Sequence, residues 1–151
     1  MKRAPWIPAA CLGAAGLLVL GRVVQIQARR ARDRSELVRA EGELRAGQTA
    51  AARIRLTRLE EARPDWPRVV FLLGACEATD GHTDAALALW ARVPAGAPEG
   101  REAALDRARV ALDEGRYAIA EAALATLRDS PDAPVDDDTP RILRARLLWI
   151  T

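Results

Sequence analysis

Residues 73–98 read LGACEATDGHTDAALALWARVPAGAP, and this stretch decides the fold. Gly81 divides two runs of helix-forming residues. Gly74 stands seven residues before it and Ala86 five after it, so each run carries a small residue near the turn. Trp90 follows Ala86 by four, Val93 follows Trp90 by three, and Pro98 closes the stretch. The pattern predicts two helices joined at a glycine, which takes the left-handed conformation that ends a helix. The small residues let the two backbones approach, the large apolar residue packs between neighbouring hairpins, and proline stops the second helix.

The same columns recur on either side. Gly47, Gly81 and Gly115 are spaced by 34. Ala40, Gly74 and Ala108 precede them by seven, and Ala52, Ala86 and Ala120 follow by five. Leu56, Trp90 and Leu124 come four later, and Leu59, Val93 and Leu127 three later still. Pro64 and Pro98 lie seventeen after their glycines, with Pro131 one residue early in the last copy. A single hairpin cannot bury its apolar face alone, so copies with a fixed period must stack.

With these columns the chain resembles the tetratricopeptide repeat family. Counted from Asp33, Pro67 and Arg101, three repeats fill 33–66, 67–100 and 101–134. The middle copy matches best. The first departs at Glu36 and Arg39. The third has Tyr117 at a common aromatic place but Arg107 at the seventh position, where the middle copy has Leu73. The resemblance implies an all-α fold, an α-solenoid of stacked helix–turn–helix hairpins. Past Leu127, an irregular stretch with Pro131, Pro134 and Asp136-Asp137-Asp138 leads to Pro140-Arg141-Ile142-Leu143, which aligns with Pro67-Arg68-Val69-Val70. Residues 135–151 therefore read as the first helix of an incomplete fourth hairpin, or a cap. Leu147-Leu148-Trp149-Ile150 is too apolar for a solvent-facing cap, which points to a truncated array or to self-association through the C-terminal helix.

Composition agrees with a helical reading. Of 151 residues half are hydrophobic but only 4% aromatic, with 32 Ala and 22 Arg against one Lys. Strand formers are too scarce for a sandwich, a barrel or a doubly wound sheet, and apolar material is too plentiful for a disordered chain. The formal charge of +2 divides into +6 over residues 1–34 and −4 over 35–151. Lys2 and Arg3 precede an uncharged run from Ala4 to Gly21. With Arg22 snorkelling, Trp6 to Val24 would span roughly 28 Å, close to a bilayer core. Residues 1–32 are accordingly expected to form an N-terminal transmembrane helix, an uncleaved signal anchor with a basic flank that meets the lipid bilayer through residues 4–24. The Arg-over-Lys bias fits a bacterial source and hence an inner-membrane protein. The basic flank after the run opposes a periplasmic repeat domain, but the habit of this architecture favours one, and the repeats are expected on the periplasmic side.

Residues able to do chemistry are few. His82 follows a turn glycine and reads as a solvated turn. Cys76 reads as a small buried hydrophobe, and Cys11 lies in the apolar run. Asp136-Asp137-Asp138 lacks the further ligands of a cation loop. No catalytic, cofactor-binding or metal-binding set is expected, the basic head lacks the aromatics of a nucleic-acid site, and the chain reads as a non-enzyme. What remains is a surface. In tetratricopeptide proteins first-helix positions 2, 5, 9, 12 and 13 line a concave groove. The resemblance places Arg68, Phe71, Ala75 and Ala78 there from the second repeat, and Leu105, Arg109 and Leu112 from the third. Such a groove, apolar at Phe71 and Leu105 with arginine at its edges, suits a peptide of some acidic character. The chain has no Asn and only Lys2, so the family's carboxylate-clamp mode is not expected. The expected function is that of a membrane-anchored scaffold for protein–protein interaction. The alternative is the N-terminal stalk or docking segment of a larger, truncated envelope enzyme or of a transport or assembly protein.

Overall fold

The computed structural model describes residues 7–127 and 138–150, with side chains for 22–127 and 138–149. Seven helices follow in order: α1 (Ile7–Arg45), α2 (Thr49–Ala62), α3 (Pro67–Thr79), α4 (Thr83–Arg92), α5 (Gly100–Asp113), α6 (Tyr117–Thr126) and α7 (Thr139–Ile150). There is no strand among the described residues. Each helix packs on the next, and α7 also touches α5.

The glycine column sets the hairpins. Gly47, Gly81 and Gly115 have φ of 73°, 81° and 70°, the left-handed region that an L side chain avoids. Each closes its helix in the same way. The glycine N–H donates three residues back, to Leu44, Ala78 and Leu112, at 3.0–3.2 Å. The next N–H donates five back, from Gln48 to Glu43 at 2.8 Å, His82 to Glu77 at 2.8 Å and Arg116 to Ala111 at 2.7 Å. These paired bonds satisfy carbonyls that a helix end would leave open. Ala40, Ala52, Ala86, Ala108 and Ala120 are fully buried where paired helices approach.

Two details of the hairpin pattern differ from expectation. Trp90 is 4% exposed and lies over Gly74 of its own hairpin, and its Nε1 donates to the Phe71 carbonyl at 3.2 Å. The absent Cβ at Gly74 makes room for the indole. The second difference concerns Pro98. α4 already ends at Arg92, with Val93 extended (φ −73°, ψ 119°) before Pro94. A residue preceding proline is pushed out of the helical region, so Pro94 marks the stop and Pro98 lies in the following turns.

The N-terminal expectation is overturned. No helix among the described residues is long and apolar enough to cross a membrane. α1 extends over 39 residues, roughly 58 Å, without a break near 32 or 33. Over residues 22–34 it carries Arg22, Arg29, Arg30, Arg32, Asp33 and Arg34, charges that a bilayer core disfavours. A single-pass inner-membrane location, a transmembrane signal anchor and bilayer contact through residues 4–24 are therefore not supported. Residues 1–6, and the side chains of 7–21 with Cys11, lie outside the described residues.

The buried side chains form two clusters. The first joins α1 to α4 around Leu56, Val69, Leu72, Cys76 and Trp90. The second joins α5 to α7 around Leu112, Leu124 and Leu143. They interlock where they meet: Leu87 of α4 belongs to the second cluster and Ala103 of α5 to the first. Ion pairs link successive hairpins on the outside, with Arg92 to Glu60 at 2.6 Å, Arg116 to Asp84, and Arg146 to Asp113 at 2.9 Å. Exposed pairs of this kind add little stability each.

Cys76 is fully buried, and burial, reinforced by Asp80 and Glu77, pushes its thiol up to about 11. The reactive thiolate is then about a hundredfold scarcer at neutral pH than for a thiol of 9.0. Iodoacetamide should label Cys76 at least that much more slowly than free cysteine, and at an ordinary rate only in urea. Rapid labelling of Cys76 itself in the folded chain, resolved from Cys11 by peptide mass mapping, would contradict this environment.

Candidate peptide-binding face

α3 begins with Pro67 at its first turn, where the missing N–H costs nothing. Its residues divide between core and surface by the helical period. Phe71 is 9% exposed and belongs to the first core cluster. The Arg68 guanidinium lies 6.0 Å from the centre of its ring. Arg68 Nε donates to Glu41 Oε1 on α1 at 2.9 Å, and Glu41 also pairs with Arg45 at 3.5 Å. An ion pair between neighbouring hairpins thus stands beside the one phenylalanine of the chain. Ala75 and Ala78 are half-buried.

On α5, Leu112 is 3% exposed and sits in the second cluster with Leu87 and Leu143. Leu105 is half-buried against that cluster. Arg109 is exposed and bonds Asp106, one turn back, at 3.1 Å. Burial raises the Asp106 carboxyl above its ordinary value, and Arg109 opposes that rise. Of the seven residues expected to line a groove, Phe71 and Leu112 are therefore core residues. Ala75, Ala78 and Leu105 are partly accessible, and Arg68 and Arg109 are each already paired within the chain.

The other chemically capable residues are also accounted for. His82 Nδ1 lies 2.7 Å from Glu77 Oε2 at the turn after α3. Among the described residues no three of His, Cys, Asp and Glu come together as a metal site. Asp138 accepts from Arg141 at 3.2 Å, while Asp136 and Asp137 lie outside the described residues. Sequence reasoning did not foresee the stacking of Arg63 on Trp66 at 4.4 Å, nor a cleft of about 300 Å³ between α6 and α7. Leu124, Ala125, Leu147 and Leu148 line that cleft, with Glu121 and Arg144. On α7 itself Ile142, Leu148 and Trp149 are 65%, 78% and 90% exposed.

No protein-family model matches the chain, and no curated protein matches it. Solved structures do. The fold is similar to that of the type III secretion translocator chaperone SycD of Yersinia enterocolitica. One SycD structure has a TM-score of 0.65 at 19% identity, covering 77% of this chain and 81% of that one. SycD in complex with a peptide of the translocator YopD gives 0.66 at 19% identity, covering 77% and 89%. An alternative SycD dimer gives 0.65 at 18%, covering 78% and 90%. At such identity the likeness to SycD establishes a tetratricopeptide-like helical repeat and nothing about its ligand.

Proposed function

We propose that the chain is a helical-repeat scaffold that binds a segment of another protein and performs no chemistry of its own. Its working units are the three repeats 33–66, 67–100 and 101–134, with 135–151 as the first helix of a fourth hairpin or a cap. The observation that carries this reading is the stack itself: three hairpins closed by the same glycine turn pack one on the next. Ala75 and Ala78 on α3 and Leu105 on α5 are partly accessible, on the same two helices that carry Arg68 and Arg109. The YopD-peptide complex shows that a fold of this shape accommodates a peptide in another protein. A ligand with acidic residues flanking a small apolar anchor would meet Arg68 and Arg109 and compete with Glu41 and Asp106 for them.

The test is a peptide-display selection on the whole chain, followed by affinities for the peptides recovered. Arg68→Glu and Arg109→Glu should each weaken binding of acidic peptides about tenfold, the effect of one charge-assisted contact. Phe71 is unsuitable for this purpose, because its burial makes any substitution a stability experiment. Peptides whose affinity ignores both reversals would show that this face is not the site.

A further inference from the structure

We propose that the chain forms a two-fold dimer through the outer face of α7, with a second copy covering Ile142, Ala145, Leu148 and Trp149. This goes beyond the peptide-binding reading and stands or falls separately from it. α7 is held on one side only. Leu143 is 7% exposed and Leu147 half-buried, and both pack on the second core cluster. The opposite side carries Ile142, Ala145 and Trp149 at the i, i+3, i+7 spacing of one helical stripe, with Leu148 and Arg141 beside it. A solvated helix face does not ordinarily hold a tryptophan at 90% exposure, a leucine at 78% and an isoleucine at 65%.

The arrangement of this face selects a copy of itself as the occupant. Ala145 lies at its centre, Ile142 and Trp149 form one edge, and Arg141 and Leu148 form the other. An antiparallel two-fold through Ala145 keeps each edge on its own side and reverses its direction. Ile142 then meets the partner's Trp149, Leu148 meets the aliphatic stem of the partner's Arg141, and the small Ala145 lets the helices approach at the axis. A two-fold interface requires this self-complementarity, with the same patch used on both sides.

Charge points the same way. The cations on and beside the face already have partners within the chain: Arg141 with Asp138 at 3.2 Å and Arg146 with Asp113 at 2.9 Å. Arg144 donates to the Leu124 carbonyl at 2.9 Å. Arg144 is half-buried and directed at α6, so the cations at the rim of the face are Arg141 and Arg146, each beside a carboxylate, and a strongly acidic helix finds little here to recruit it.

Sedimentation equilibrium of the full chain, up to about 100 μM, is the test, because a small apolar interface associates in that range. The expected result is a reversible monomer–dimer equilibrium. Ala145→Glu places two carboxylates at the axis and should raise the dissociation constant at least about a hundredfold. Trp149→Ala should raise it at least about tenfold. Both side chains are exposed in the single chain, so helical circular dichroism should be unchanged and a folding defect would be seen directly. A chain that stays monomeric over this range, or a dimer indifferent to Ala145→Glu, would overturn the proposal.

Discussion

Gly74→Ala is expected to lower stability by about 3 kcal/mol, although it adds a single methyl group and alanine is the better helix former. A Cβ at this position would lie 2.5 Å from Trp90 Nε1, 2.7 Å from Cδ1 and 2.9 Å from Cε2. Such contacts cannot stand, and the indole is only 4% exposed, so it has little room to retreat. Moving it also breaks the Nε1 bond to the Phe71 carbonyl and leaves a buried N–H without a partner. Overpacking and the lost bond each contribute about 1–3 kcal/mol. In thermal unfolding the midpoint should fall by roughly 10 °C. The neighbouring hairpins supply a control. At the same columns they carry Ala40 with Leu56 and Ala108 with Leu124, where the middle hairpin has Gly74 with Trp90. Combining Gly74→Ala with Trp90→Leu recreates the neighbours' pair, and the two changes should be strongly non-additive, with a coupling of about 2 kcal/mol. Simple additivity would mean that the glycine and the tryptophan are not matched to each other.

Leu56→Ala should cost a similar amount, about 3 kcal/mol, but its effect should be local. Leu56 is fully buried on α2, which packs between α1 and α3. Removing most of a buried leucine leaves a cavity that the surrounding helices fill only in part. In a repeat array each hairpin gains its stability chiefly from its immediate neighbours. Amides of α1 and α2 should therefore exchange with solvent about a hundredfold faster, while those of α5 and α6, in the second cluster, change far less. Hydrogen exchange resolved by helix would decide. Equal acceleration in all helices would show that the two clusters unfold as one unit.

What could be read in the amino-acid order follows from what each residue needs. A left-handed turn needs glycine, so Gly47, Gly81 and Gly115 announce three hairpins from the sequence. Fully buried helix contacts need small residues, so Ala40, Ala52 and Ala120 were legible for the same reason. Phe71 was not, because it stands in the core beside an arginine–carboxylate pair that joins residues 27 apart. Spacing within one helix carries no record of such a pair. Pro98 sits in the repeating column, but the helix ends earlier because the residue before Pro94 is pushed out of the helical region. At the N-terminus the apolar run is short beside the helix that carries it. From Ile7 the run belongs to α1, which continues through a dense run of arginines into the first hairpin. The exposed apolar side of α7 could be suspected from Leu147 to Ile150, but its two edges and their symmetry about Ala145 appear only once the buried side is known.

Leu87 and Ala103 have exchanged places across the junction of α4 and α5, each seated in the other half's core. The junction is in effect a dovetail. Sliding one half along the other would pull both side chains out of their seats at once, whereas rocking leaves them in place. A segment captured by this chain would therefore meet two halves that are pinned against sliding along each other.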